Sequence, residues 1–290
     1  MPAVPLADKG AIINLEEAGE GIRVLLEGCF VRSNAAATEG GVLYSTISNL
    51  TVEIRDSLMT ANNAGTGNGG CFFIEEENAV ILIFNSTFSY NYAAVHGGVM
   101  YMGSSGSVEI SHSEFYTNSA LEGTGGLMSS FGMVQLMLQH SVVHGHSADI
   151  GGVFYSSTTN LQGDSLPSWT PPPHRHRAVG RRFGPGDWAS CGRDGSEDRL
   201  FKSSYVLMDS VLQDNQAYGD GGMLMAGKAV LVQVFNCHVA ANTCSQGEGG
   251  ALYISVDGGL EMLDSQLHNN RGQVREGGRV TQRGPGKMGA

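Results

Sequence analysis

Apolar and polar residues alternate along this chain in short bursts. Stretches such as "LTVEIRDS" (50–57), "VEISHS" (108–113) and "VLVQVFNC" (230–237) have a period of two. That period predicts strands with one face inward. A second kind of apolar block follows Gly-Gly: "VLY" at 42–44, "CFF" at 71–73, "VMY" at 99–101 and "VFY" at 153–155. No helical period runs long enough to predict a helix, so the pattern reads as all-β.

The pattern repeats. Gly-Gly pairs begin at Gly40, Gly69, Gly97, Gly125, Gly151, Gly221, Gly249 and Gly277, at intervals of 29, 28, 28, 26, 70, 28 and 28 residues. An apolar-x-x-Asn motif precedes the pairs, with its Asn at Asn34, Asn62, Asn91, Asn118, Asn215, Asn242 and Asn270. His146 stands where the fifth Asn is expected. Five residues before this column runs a column of small residues: Cys29, Ser57, Ser86, Ser113, Ser141, Ser210, Cys237 and Ser265.

Short strands in repeats of this length predict a coil that buries its apolar face only by stacking on its neighbours. The expected fold is a parallel β-helix of about eight to nine coils, with equivalent residues about 4.8 Å apart. Asn then forms a ladder along the stack. The glycine pairs (Gly40 and Gly41, Gly69 and Gly70, Gly97 and Gly98, Gly125 and Gly126, Gly151 and Gly152, Gly221 and Gly222, Gly249 and Gly250, Gly277 and Gly278) mark turns that exclude a side chain or need positive φ. The apolar residues three before each Asn (Val31, Met59, Phe88, Phe115, Val143, Leu212, Val239 and Leu267) are expected to point inward. A leucine-rich repeat also carries an Asn column, but its L-x-x-L-x-L run is missing here.

The pairing of "GGALY" (249–253) with "FSYN" (88–91) and "FYTN" (115–118) resembles the GGA[ILV] and FxxN repeats of chlamydial polymorphic outer-membrane proteins. The likeness covers about residues 10–278 apart from one insertion. It implies a right-handed β-helix and an extracellular, cell-surface or adhesive role. The family's signal peptide and C-terminal membrane barrel have no counterpart here, so the likeness concerns the repeats alone.

Composition refines the picture. Charged residues are 16%, there are 42 glycines, and the net charge is -11. Nucleic acid is excluded as a partner, since phosphates call for a basic face. The longest apolar run, "AVILIF" at 79–84, is far too short to span a membrane. "MPAVPLADKG" does not read as a signal peptide. Two β-helix segments are expected, 10–160 and 202–278. Between them, 161–201 is a basic, Pro-rich insertion, read as a disordered loop or translated intron, with "HRHRAVGRR" as a candidate anion-binding arm. The tail 279–290 also loses the pattern.

Candidate chemistry is sparse. Asp56, Asp209 and Asp264 share a polar column, but at about 4.8 Å per coil they stand too far apart for a hydrolytic carboxylate pair. His144 and His146 alternate along one stretch as candidate metal ligands, and His112 lies one coil from His140. Cys29, Cys71, Cys191, Cys237 and Cys244 fit no disulfide framework. "NLT" at Asn49 and "NST" at Asn85 are glycosylation acceptors in a secreted protein. No catalytic or metal-binding residue is assigned, and no cofactor is expected. The leading expectation is a non-enzymatic module binding glycans or cell-surface proteins. The alternatives are a polysaccharide lyase or hydrolase of the pectin-lyase-like class, and a spacer.

Overall fold

In a computed structural model, residues 7–16, 19–157 and 202–273 are described. The insertion 161–201, the tail 279–290, Gly277, Gly278 and Cys191 lie outside them. The described chain is all-β and winds into a parallel β-solenoid of about eight turns at roughly 28-residue spacing.

Each turn visits four faces in order. We number the sheets they form IV, I, II and III as the chain meets them after each Gly-Gly. Sheet IV holds eight strands, including Leu43–Ser45, Phe72–Ile74, Met100–Met102, Met128–Ser130 and Phe154–Ser156. Sheet I also has eight, among them Thr51–Arg55, Ala79–Phe84, Gly106–Ser111, Val134–Gln139 and Ser203–Met208. Sheet II carries the eight short strands that precede the Asn column, and sheet III six more that lead to the next Gly-Gly.

The apolar alternation sets the register. In sheet I, Val24, Val52, Ile81, Val108, Leu136, Tyr205, Val232 and Leu260 pair in succession. In sheet II, the residues three before the ladder column stack from Val31 to Leu267. Met59, Phe88, Phe115, Val143, Leu212 and Val239 are wholly buried as expected. Leu267, in the last described coil, is instead 41% exposed because no described coil packs over it.

One register crosses the insertion. Val134–Gln139 pairs with Ser203–Met208, and Phe154–Ser156 with Leu224–Ala226, as neighbouring coils pair elsewhere. The coil there closes around Tyr205. Its hydroxyl lies 2.8 Å from Ser130 Oγ inside the core, and its ring meets Phe154 edge-on.

The bend between sheets I and II is made by a left-handed residue in every described coil. Between sheets I and II stand Asp56, Asn85, His112, His140, Asp209, Asn236 and Asp264, all with φ between 45° and 51°. Asp, Asn and His tolerate this region better than most side chains. That explains the polar column as a backbone requirement.

Candidate functional site

The residues predicted from the repeat divide into an inner frame and an outer surface. The Asn ladder belongs to the frame. Asn91 Oδ1 accepts the backbone and side-chain N–H groups of Asn62, both at 3.0 Å. Its own Nδ2 donates to the Met59 carbonyl at 3.0 Å and to Asn118 Oδ1 at 2.9 Å. Asn34–Asn62, Asn215–Asn242 and Asn242–Asn270 repeat the contact. The small column forms a second ladder. Ser86 accepts the Ser57 N–H and donates to the Phe84 carbonyl, and Ser113 and Ser141 do the same one and two coils on.

The two glycines of each pair serve different needs. The first, at Gly40, Gly69, Gly97, Gly125, Gly151, Gly221 and Gly249, has φ between 63° and 72°. The second lies where coils touch: a Cβ on Gly41, Gly70, Gly98, Gly126, Gly152 or Gly222 would stand 2.0–2.3 Å from a carbonyl oxygen of the next coil.

The histidines do not form one site. His144 and His146 part company: His144 is half-exposed on sheet II, 3.3 Å from Asp214, whereas His146 is wholly buried in the ladder. The shared metal face expected of them is therefore absent. The residue between them, Gly145, is left-handed (φ 70°) and turns the chain. His112 and His140 do lie on adjacent coils with ring centroids 4.9 Å apart, tilted by 40°, and His140 reaches toward Asp209 at 3.8 Å. No group of three or more His, Cys, Asp or Glu side chains fit to hold a metal occurs among the described residues.

Asp56 and Asp209 sit on separate coils, each bonded to its neighbouring Asn (Asn85 and Asn236) at 2.6 Å. No disulfide joins Cys29, Cys71, Cys237 or Cys244. Burial pushes the Cys71 thiol well up and that of Cys237 to about 11, so both remain protonated. Asn49 and Asn85 are both exposed.

A different feature concentrates the perturbed chemistry. Along the outside of sheet IV run Tyr44, Phe73 and Tyr101, stacked nearly parallel at 5.1 and 4.9 Å. Ser129 is next in register but too small to continue the stack. Phe131, two residues on, supplies the ring instead, 5.6 Å from Tyr101 and 5.4 Å from Tyr155. The rings cover one another's faces; Tyr44 and Phe73 are buried in the stack and Tyr101 is half-exposed.

A polar column, formed by the residue before each turn glycine, borders this stack: Lys9, Glu39, Asn68, His96 and Thr124. Lys9 donates to the Tyr44 hydroxyl at 2.9 Å, and this bond holds its ammonium charged. Asn68 Nδ2 points to Glu39 Oε1 at 3.5 Å, and Asn68 Oδ1 accepts the His96 N–H at 3.1 Å. His96 Nδ1 lies 2.9 Å from Thr124 Oγ1. Glu75 stands close enough for its charge to act on Tyr101.

Burial raises the carboxyl of Glu39, and that of Glu75 with help from the charge of Glu39. Burial and these two acids push the Tyr101 phenol up to about 12, while burial lowers His96. Such grouping of perturbed groups marks candidate functional sites.

The sequence pattern did not single out this strip. The "VLY"-type blocks read as strands, and the column before Gly-Gly carries a different side chain in each coil.

No family model, curated protein or solved structure matches the chain. No helix among the described residues is long and apolar enough to cross a membrane.

Proposed function

We propose that this solenoid is a non-enzymatic repeat module of a cell-surface or adhesion-type protein, and that it holds an extended glycan along the outer strip of sheet IV. The observation that carries this reading is the half-exposed column of Glu39, Asn68 and His96 at coil spacing, flanked by the half-exposed Tyr101 and Glu75. Amide, carboxyl and phenol groups at regular intervals suit a polymer with regularly spaced hydroxyls. The covered ring faces leave recognition to hydrogen bonds at the rim. The net charge of -11 and the two acids favour a neutral glycan over an acidic one. The likeness of "GGALY", "FSYN" and "FYTN" to polymorphic outer-membrane-protein repeats supports the surface role.

The Glu39–Glu75 pair favours one second reading, a glycan-cleaving enzyme with the two carboxyls as acid and base. One experiment separates the two. The full chain is incubated with neutral and acidic polysaccharides, and both retention and new reducing or unsaturated ends are recorded. Retention of neutral chains without new ends supports the binding module. New ends abolished by Glu39→Gln or Glu75→Gln replace it with the enzyme, and neither retention nor cleavage removes both.

A further inference from the structure

Sheet II carries a second histidine pair, remote in the repeat from the sheet IV strip. His238 starts the strand His238–Ala240, and His268 ends the next, Gln266–His268. The first and third positions of these strands both face outward, because the middle residue, Val239 or Leu267, belongs to the inward column. His238 pairs in register with Gln266, and Ala240 with His268. The small Ala240 side chain leaves room for the two imidazoles to lean together diagonally across it. Their Nε2 atoms lie 3.2 Å apart, with ring centroids at 4.6 Å and planes at 67°.

We infer that His238 and His268 form a two-histidine chelate for a divalent transition-metal ion. Two imidazole nitrogens bound at about 2.0–2.1 Å to one ion stand about 2.9–3.4 Å apart between right-angled and tetrahedral geometry. The observed 3.2 Å falls inside that interval. Imidazole nitrogen selects zinc, copper or nickel over calcium or magnesium.

The surroundings fit. His268 is exposed and His238 half-buried, so an ion reaches both while water fills its remaining positions. Asn269 Nδ2 lies 3.2 Å from His268 Nδ1. A negatively charged protein also draws cations toward its surface.

The test is a calorimetric titration of the full chain with Zn2+ alone at pH 7.5. Wild type binds in the micromolar range at pH 7.5. His238→Ala and His268→Ala each weaken this site by at least about tenfold, with unchanged melts because both side chains point outward. His140→Ala, on the corner column, leaves the site intact. Gln266→His puts a third imidazole in register with His238 and tightens binding. An isotherm unchanged by either alanine variant, or no binding at pH 7.5, overturns the inference.

Discussion

His146 takes the place of an asparagine beneath Asn118. Its Nδ1 accepts the Asn118 backbone N–H at 3.3 Å, as an Asn Oδ1 does elsewhere in the ladder. Its Nε2 lies 3.2 Å from the Phe115 carbonyl, which is where a ladder Nδ2 donates. The pairing selects the tautomer with the proton on Nε2. The imidazole has no further N–H to offer Asn215, whose Oδ1 receives only the His146 backbone N–H, at 3.0 Å.

This substitution makes the solenoid acid-sensitive at one coil. Burial drives the His146 pKa down from 6.5 to about 4. In the unfolded chain the ring takes up a proton as pH falls through 6.5, while the folded ring stays neutral. Stability is therefore full above about 6.5 and is lost between 6.5 and about 4, on the order of 3 kcal/mol from this residue. His146→Asn restores the amide ladder, and its melting temperature should exceed wild type by more at pH 4.5 than at pH 7.5. Equal differences at both pH values would place the acid sensitivity elsewhere.

The amide ladder has its own test. Asn91→Ala orphans the buried Asn62 amide and the Met59 carbonyl together. Each unsatisfied group costs about 1–3 kcal/mol, so a loss of roughly 2–4 kcal/mol is expected in urea unfolding. Asn34, in the first full coil and partly exposed, should lose clearly less on the same change.

The glycine pairs separate two physical demands. Gly98→Ala drives a Cβ to 2.2 Å from the Gly126 carbonyl oxygen, between two coils that cannot separate without breaking four sheets. We expect at least about 3 kcal/mol, or failure to fold. At Gly28, which unlike Gly98 is left-handed (φ 62°), a Cβ meets nothing within 4 Å. There alanine brings only backbone strain, roughly 1–2 kcal/mol. Comparable losses at the two sites would contradict the close-contact account.

Continuous register across residues 158–201 predicts that this stretch is dispensable. Elsewhere the step from sheet IV to sheet I takes a few residues, as from Met102 to Gly106. Replacing 158–201 by a turn of two or three residues should leave a single cooperative melt at or above the wild-type temperature. A split or lowered transition would assign the segment a structural part.

The sequence makes the frame legible because the frame constrains residue identity. Only Gly fits at Gly98, and an amide suits Asn91, so those columns repeat by eye. The second left-handed corner, just before the ladder, constrains only backbone. It is filled by Ser33, Ala61, Tyr90, Thr117, Gly145, Asp214, Ala241 and Asn269, all with φ between 51° and 70°, and no side-chain pattern betrays it. The strip on sheet IV is hidden in the same way. Lys9, Glu39, Asn68, His96 and Thr124 share a backbone position and no chemistry, and Phe131 completes the ring stack from outside the column. His144 and His146 read as neighbours on one face only until the bend at Gly145 is known.

The claim that function lies on this strip has a direct measurement. Retention on an immobilised neutral polysaccharide is compared for wild type, for Asn68→Ala with Glu75→Gln, and for Thr87→Ala on the outer face of sheet II. The account predicts that the strip variant loses at least about tenfold in affinity, roughly 1.4 kcal/mol, with its melt intact, while Thr87→Ala binds as wild type. Equal retention by all three proteins would contradict it.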